Sequence, residues 1–316
     1  MPKALVQSPT DPAHIVEIEF ETIGSAADEP LLLVMGFTAQ LTAWPDDFCR
    51  ALANRGRYVI RFDNRDCGLS SKLDGIPVDV EAVLAAAIMG QLELLPTVPY
   101  LLSDMANDAV GLLDHLELAS AHVVGASMGG MIAQTMAIEH PHRVRTLISI
   151  MSTTGDLDVS QPSPEAGAAL LAPPPTDRDA YIANSVASLV WSSRKYRDTD
   201  EIRAQAARDY DRCFYPQGAN RQLAAMYASG PRSPALTNLT TPTLVIHGRD
   251  DTLIPPAAGL RTAEMIPGAN LLLMADMGHD LPRPLWPTLV DAIISHTSQA
   301  TIEAVAHDKG ALCPVH

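Results

Sequence analysis

Apolar residues along this chain fall into two kinds of run. In the first they alternate with charged ones: Val16, Ile18 and Phe20 interleave with Glu17, Glu19 and Glu21, the period-two signature of a strand with one wet face, which reads as an antiparallel edge strand. In the second they are short and continuous. Residues 31–35, 58–62, 121–126, 145–151, 243–247 and 270–275 are blocks of this kind, as expected of strands covered on both faces. Between them lie stretches of helical composition over residues 46–53, 103–116, 128–138, 256–265 and 284–296, the second with Ser103 as its expected N-cap. Strand and helix in alternation predict a mostly parallel sheet with right-handed crossovers, fold class α/β.

Two stretches depart from that rhythm. Residues 80–95 are almost entirely apolar, interrupted only by Glu81, Gln91 and Glu93, so a helix there is expected to be buried on most sides or to cover a cavity. From Ser152 to about Arg232 no strand-like run occurs. Prolines punctuate that segment, and its aromatics include Tyr181, Trp191, Tyr196, Tyr210, Phe214, Tyr215 and Tyr227. The expected organisation is a core of residues 1–152 and 233–296 and a helical cap of residues 153–232, with residues 75–100 as a further cover segment. Residues 297–316 show no partner pattern and are expected to form a surface-bound or mobile tail.

The chemistry gathers at one turn. Residues 121–124 meet Gly125-Ala126-Ser127-Met128-Gly129, a Gly-x-Ser-x-Gly sequence set between a strand and a helix. A serine at such a turn is forced into an unfavourable backbone region, with Gly125 and Gly129 supplying the room for strand and helix to pass closely. The bland alternative is a small-residue turn whose serine caps the helix. Further along, Asp250 and Asp251 follow one predicted strand and His279 follows the next, so nucleophile, acid and base fall in an order known for strand-end triads. Asp251 is preferred over Asp250 as the acid. One oxyanion donor is expected from the Met128 amide and the other from the loop after residues 31–35, where Gly36-Phe37 lets the backbone approach closely. Asp63 to Ser70 reads as a polar loop at the sheet edge where ligands are bound. Trp44, Trp191, Tyr215 and Leu281 are the candidate substrate contacts, and His247 reads as a core residue.

Composition narrows the partners. A net charge of −15 over 316 residues disfavours nucleic acid. No apolar run reaches membrane-spanning length and no secretory signal precedes the first strand, so a cytoplasmic protein, monomeric or homodimeric, is expected. Cys49, Cys67, Cys213 and Cys313 are scattered, which suggests reduced thiols rather than a metal site or a disulfide framework.

Taken together, Val34-Met35-Gly36-Phe37, Trp44-Pro45, residues 61–70, residues 122–130, residues 248–251 and Gly278-His279 resemble the α/β-hydrolase superfamily. More narrowly they resemble bacterial esterases related to aclacinomycin methylesterase and the serine-dependent macrolide esterases. The resemblance implies Ser127 as nucleophile, Asp251 as acid, His279 as base, and Phe37 and Met128 as oxyanion donors. It also implies a small-molecule ester or lactone as substrate and no metal or organic cofactor. Met35-Gly36 stands where many relatives have His-Gly, and the serine at 127 argues against haloalkane dehalogenases and epoxide hydrolases, which place an aspartate there. A perhydrolase or acyltransferase with the same triad, and a ligand receptor on the same scaffold, are the rival readings.

Overall fold

The computed structural model describes residues 2–7 and 15–311. The chain opens with strands β1 (Lys3–Gln7), β2 (Ile15–Ile23) and β3 (Glu29–Val34), then helix α1 (Asp46–Ala53), β4 (Arg57–Phe62), α2 (Val80–Ile88) and α3 (Leu102–His115). The turn region follows as β5 (Ala121–Ala126) and α4 (Met128–Glu139), leading to β6 (Val144–Ile150). Next come five helices without an intervening strand: α5 (Pro164–Leu170), α6 (Arg178–Asn184), α7 (Thr199–Arg212), α8 (Gln217–Ala228) and α9 (Ser233–Leu236). The pattern then resumes with β7 (Thr243–Gly248), α10 (Pro256–Met265), β8 (Asn270–Met274) and α11 (Trp286–Ala311).

The strands form one sheet in the order β1-β2-β4-β3-β5-β6-β7-β8, antiparallel at β1/β2 and β2/β4 and parallel elsewhere. Successive side chains of the central strands enter opposite cores, as the strand pleat requires. Leu32 and Val34 pack with α3 and α4, while Leu31 and Leu33 pack with α1 and α11. Burial on both faces explains why these strands are uniformly apolar in sequence. Helix α4 is buried from Met128 through Ala137, with no charged residue in that span to set a wet side. The chain order reverses direction across the sheet between β3 and β5, which opens a crevice at their C-terminal ends.

Four expectations need correction. The alternating strand is not the edge, because β1 pairs outside it and buries Ala4 and Val6. Residues 80–95 are not a long buried helix. Gly90, with φ +67°, lies just beyond the end of α2, in the left-handed conformation that commonly stops a helix. Val83, Ala86 and Ala87 are buried, α2 packs against α8, and Ile88, Met89 and Leu94 are exposed. Ser103 does not cap α3; the helix begins a residue earlier, and the Asp104 carboxylate accepts from the Leu101 amide. The C-terminal stretch continues α11 as far as Ala311, with Thr297 buried and its hydroxyl accepting from Arg57 at 2.8 Å. Residues 312–316, including Cys313, lie outside the described residues. Among the described residues no helix is long and apolar enough to cross a membrane.

The helical insertion is fastened to the sheet edge by polar side chains with little access to water. Arg221 of α8 forks onto Asp66 at 2.8 and 2.9 Å, and Arg212 of α7 reaches Asp63 at 2.8 Å. Arg65 pairs with Asp108 of α3 in the same way. The loop after β4 therefore spends its charges on docking rather than on a ligand. Within the insertion, Tyr181, Tyr210 and Phe214 form a small aromatic core, with ring centroids 4.6–5.6 Å apart. Breaking a buried pair strands its partner's charge, at a cost of about 3–5 kcal/mol. Arg221→Met should lower the urea midpoint accordingly, and Asp66→Asn added to it should recover part of the loss; an unchanged midpoint in the single variant would show that the pair contributes nothing.

Candidate active site

Strands β3, β5, β7 and β8 all end at one rim, and each delivers one part of the site. At the end of β5 the chain must turn into α4 within a single residue. Ser127 takes φ +56° and ψ −123°, outside the ordinary regions for an L-residue, as the sequence pattern anticipates. The turn exists because two glycines leave space: a Cβ on Gly125 would sit 2.1 Å from the Gly129 carbonyl oxygen, and one on Gly129 would sit 2.1 Å from that of Val34. Ser152 Oγ donates to the Ser127 carbonyl at 2.7 Å, bracing the turn from β6's side.

The strained backbone projects the Ser127 hydroxyl toward His279, whose Nε2 lies 2.9 Å away. On its other side His279 Nδ1 lies 2.7 Å from Asp251 Oδ2. Of the two neighbouring aspartates, Asp250 is exposed and Asp251 is buried. Asp251 Oδ1 accepts the amides of Leu253 and Ile254, each at 2.9 Å, so one carboxylate oxygen is held by the loop and the other is left for the imidazole. Burial pushes the Asp251 carboxyl upward, but the His279 and His247 rings outweigh it and hold it at about 2.

Gly36 brings the loop after β3 against Ser127. A Cβ there would lie 2.9 Å from Ser127 Cβ, closer than real side chains approach. Phe37 follows, and neither its amide nor that of Met128, the residue after Ser127, has a hydrogen-bond partner among the described residues. Two buried amides hold the loop in place. Asn64 donates to the Met35 carbonyl at 2.8 Å, and Gln222 of α8 accepts the Thr38 amide at 2.9 Å while donating to the Arg65 carbonyl.

The four candidate substrate contacts fare differently. Trp44 does not reach the site: it is fully buried, stacked on Phe48 with centroids 6.0 Å apart, in the core beneath α1. Tyr215 is committed to the seam between insertion and sheet, its hydroxyl bonded to Asp74 and Arg221. Trp191 and Leu281 stay beside His279, Trp191 through its carbonyl, which accepts the His279 amide at 2.7 Å, and Leu281 two residues on. His247 is indeed buried, yet it is more than packing: its Nε2 is 2.9 Å from the Ile254 carbonyl and 3.6 Å from Asp251 Oδ2. The only sequence signal for this was its position four residues before Asp251.

The low value of Asp251 makes a pH prediction. A carboxyl held below its ordinary value contributes stability that is complete above about pH 4 and is lost as pH falls toward about 2. Asp251→Asn should therefore lower the melting temperature more at neutral pH than at about pH 3, by calorimetry; equal losses at both would mean the charge is not what the rings stabilise.

The α/β hydrolase fold family matches residues 29–282. Rhodomycin D methylesterase DauP of Streptomyces sp. strain C5 is 31% identical, with 89% of this chain and 95% of the relative covered. Rhodomycin D methylesterase DnrP of Streptomyces peucetius is 29% identical over the same shares. Among solved structures, the meta-cleavage product hydrolase CumD of Pseudomonas fluorescens IP01 superposes with a TM-score of 0.72 at 18% identity, covering 95% of this chain and 98% of that one, a likeness of fold alone. The chain belongs to the α/β hydrolase fold family, and its methylesterase relatives support ester hydrolysis.

Proposed function

We propose that the protein is a serine carboxylic-ester hydrolase acting through an acyl-enzyme. The observation that carries this is the unbroken line of contacts from Ser127 Oγ through His279 to Asp251 at the rim of the sheet. A hydroxyl is a weak nucleophile near neutral pH and needs a base within reach, itself oriented by a third group. His279 Nε2 takes the Ser127 proton as Oγ attacks the ester carbonyl. Ionised Asp251 accepts from Nδ1 and steadies the imidazolium that forms. The amides of Phe37 and Met128 hold the tetrahedral oxyanion, each such donor contributing about 3 kcal/mol. His279 then gives its proton to the departing alcohol, and a water repeats the sequence on the acyl-enzyme.

The helical insertion acts as a cap, with α2 as an added cover, and Trp191 and Leu281 contact the bound ester. A roof of this composition suits a bulky, largely apolar substrate. The names of the two Streptomyces relatives favour a methyl ester on a polyketide-like skeleton over a macrolide lactone. The activity is assigned to the cytoplasm, where thiols such as the free Cys49, Cys67 and Cys213 stay reduced.

A fluorophosphonate probe should label the protein stoichiometrically, and Ser127→Ala should abolish labelling. Asp251→Asn should lower kcat by about 10⁴-fold while Asp250→Asn leaves most of it. Labelling that survives the loss of Ser127 would refute the assignment. Release of methanol from a methyl-ester panel, rather than gain of one water by a cyclic ester without fragmentation, is the expected product pattern.

A further inference from the structure

The helical insertion sends one short segment, Val190-Trp191-Ser192-Ser193, across both loops that carry the acid and the base. The Val190 carbonyl accepts from Thr252 Oγ1 at 2.9 Å, one residue past Asp251. The Trp191 carbonyl accepts the amide of His279 itself at 2.7 Å. Ser193 is fully buried. Its hydroxyl accepts the Gly278 amide at 2.9 Å and donates to Asp280 Oδ1, which its own amide also reaches at 3.0 Å. Three consecutive residues of the histidine loop, 278 to 280, are thus bonded to this segment. Contact is as close as the backbone permits, since a Cβ on Gly278 would lie 2.3 Å from the Trp191 carbonyl oxygen.

None of these groups touches the reacting atoms. They bear instead on a distance. Asp251 and His279 sit in loops that leave different strands, β7 and β8, and β8 is the last strand of the sheet. The loop after β7 is tied to β8 and its loop by the Arg249 amide on the Met274 carbonyl and the Asp250 amide on the Met277 carbonyl, each at 2.9 Å. These bonds stop at Met277, and residues 278–280 are held instead by the insertion, within the few tenths of an ångström that the 2.7 Å His279–Asp251 contact requires. A misplacement of about 1 Å can cost about 10²-fold in rate. We propose that residues 190–193 form a strap that sets the His279–Asp251 geometry, with Ser193 and Asp280 as its positioning pair. The proposal rests on the serine-hydrolase reading. Burial raises the Asp280 carboxyl, and the two Ser193 bonds oppose that rise, so the pair is coupled: removing the hydroxyl leaves both the carboxylate and the Gly278 amide short of a partner.

The test compares purified full-length wild type, Ser193→Ala, Ser193→Thr and Asp280→Ala on a p-nitrophenyl ester, with fluorophosphonate labelling rates in parallel. Ser193→Ala should lower kcat by up to about 10²-fold with KM changed less than about twofold, and labelling should slow in proportion. Ser193→Thr, which keeps hydroxyl and amide, should restore most of both. The downfield proton resonance of the His279–Asp251 bond, read by NMR without turnover, should be lost or displaced in Ser193→Ala and recovered in Ser193→Thr. Wild-type kcat and an unmoved resonance in Ser193→Ala would overturn the strap. So would a loss that Ser193→Thr does not rescue and that tracks only a lower melting temperature. If Ser193→Ala does not fold, Asp280→Ala, which removes the Oδ1 acceptor that Asn would keep, carries the same comparison, and wild-type kcat with an unmoved resonance there is the overturning result. A wild type inert to ester and probe alike, with the resonance still sensitive to Ser193, would sink the hydrolase reading and leave the geometric role of the strap standing.

Discussion

The constraint on which this molecule turns is the backbone of Ser127. A strand must become a helix across one residue, and that residue must accept a conformation unfavourable by about 1–3 kcal/mol. Such strain persists only where the surroundings over-determine it. Here β5 is paired on both sides, by β3 and β6, and α4 is sunk in the core on every side. The hydroxyl consequently points to the rim without choosing among rotamers of a loose loop. Everything else at the rim is placed relative to it: Gly36 and Phe37 from the strand on one side, Asp251 and His279 from strands further along on the other.

The helical insertion, for its part, is less an accessory than the second half of the frame. Gln222 holds the loop after β3, Arg212 and Arg221 pin the loop after β4, and residues 190–193 touch the loops after β7 and β8. Each contact joins polar groups far apart in sequence, and Gln222, Asp63, Asp66 and Ser193 among them are buried. Helices that merely connected β6 to β7 would not need them.

How much of this the sequence revealed depends on the range of the interactions. Doubly covered strands are readable because burial on both faces leaves a continuous apolar trace, and the serine turn is readable because its glycines stand two residues to either side of Ser127. Of the two aspartates, the one preferred from sequence, Asp251, is the one that meets His279, since the proline-bounded loop after β7 is local. What escaped is of two kinds. β1 is too short to carry periodicity, and the stop at Gly90 was hidden inside a run that looked uniformly apolar. Ser193–Asp280 and Gln222–Thr38 span 87 and 184 residues and obey no local spacing at all. Trp44 was misjudged for a related reason: aromatic residues near a site are as often its foundations as its walls.

The two arginine pins carry a consequence for the solvent the protein tolerates. Their carboxylate partners have no solvent exposure and the guanidiniums very little, so mobile ions cannot interpose as they do between surface charges such as Arg178 and Asp211. Added electrolyte erodes only the outer pairs, while it also quiets the mutual repulsion of a chain with fifteen surplus negative charges. A brackish medium therefore leaves the attachment of the inserted helices to the sheet intact.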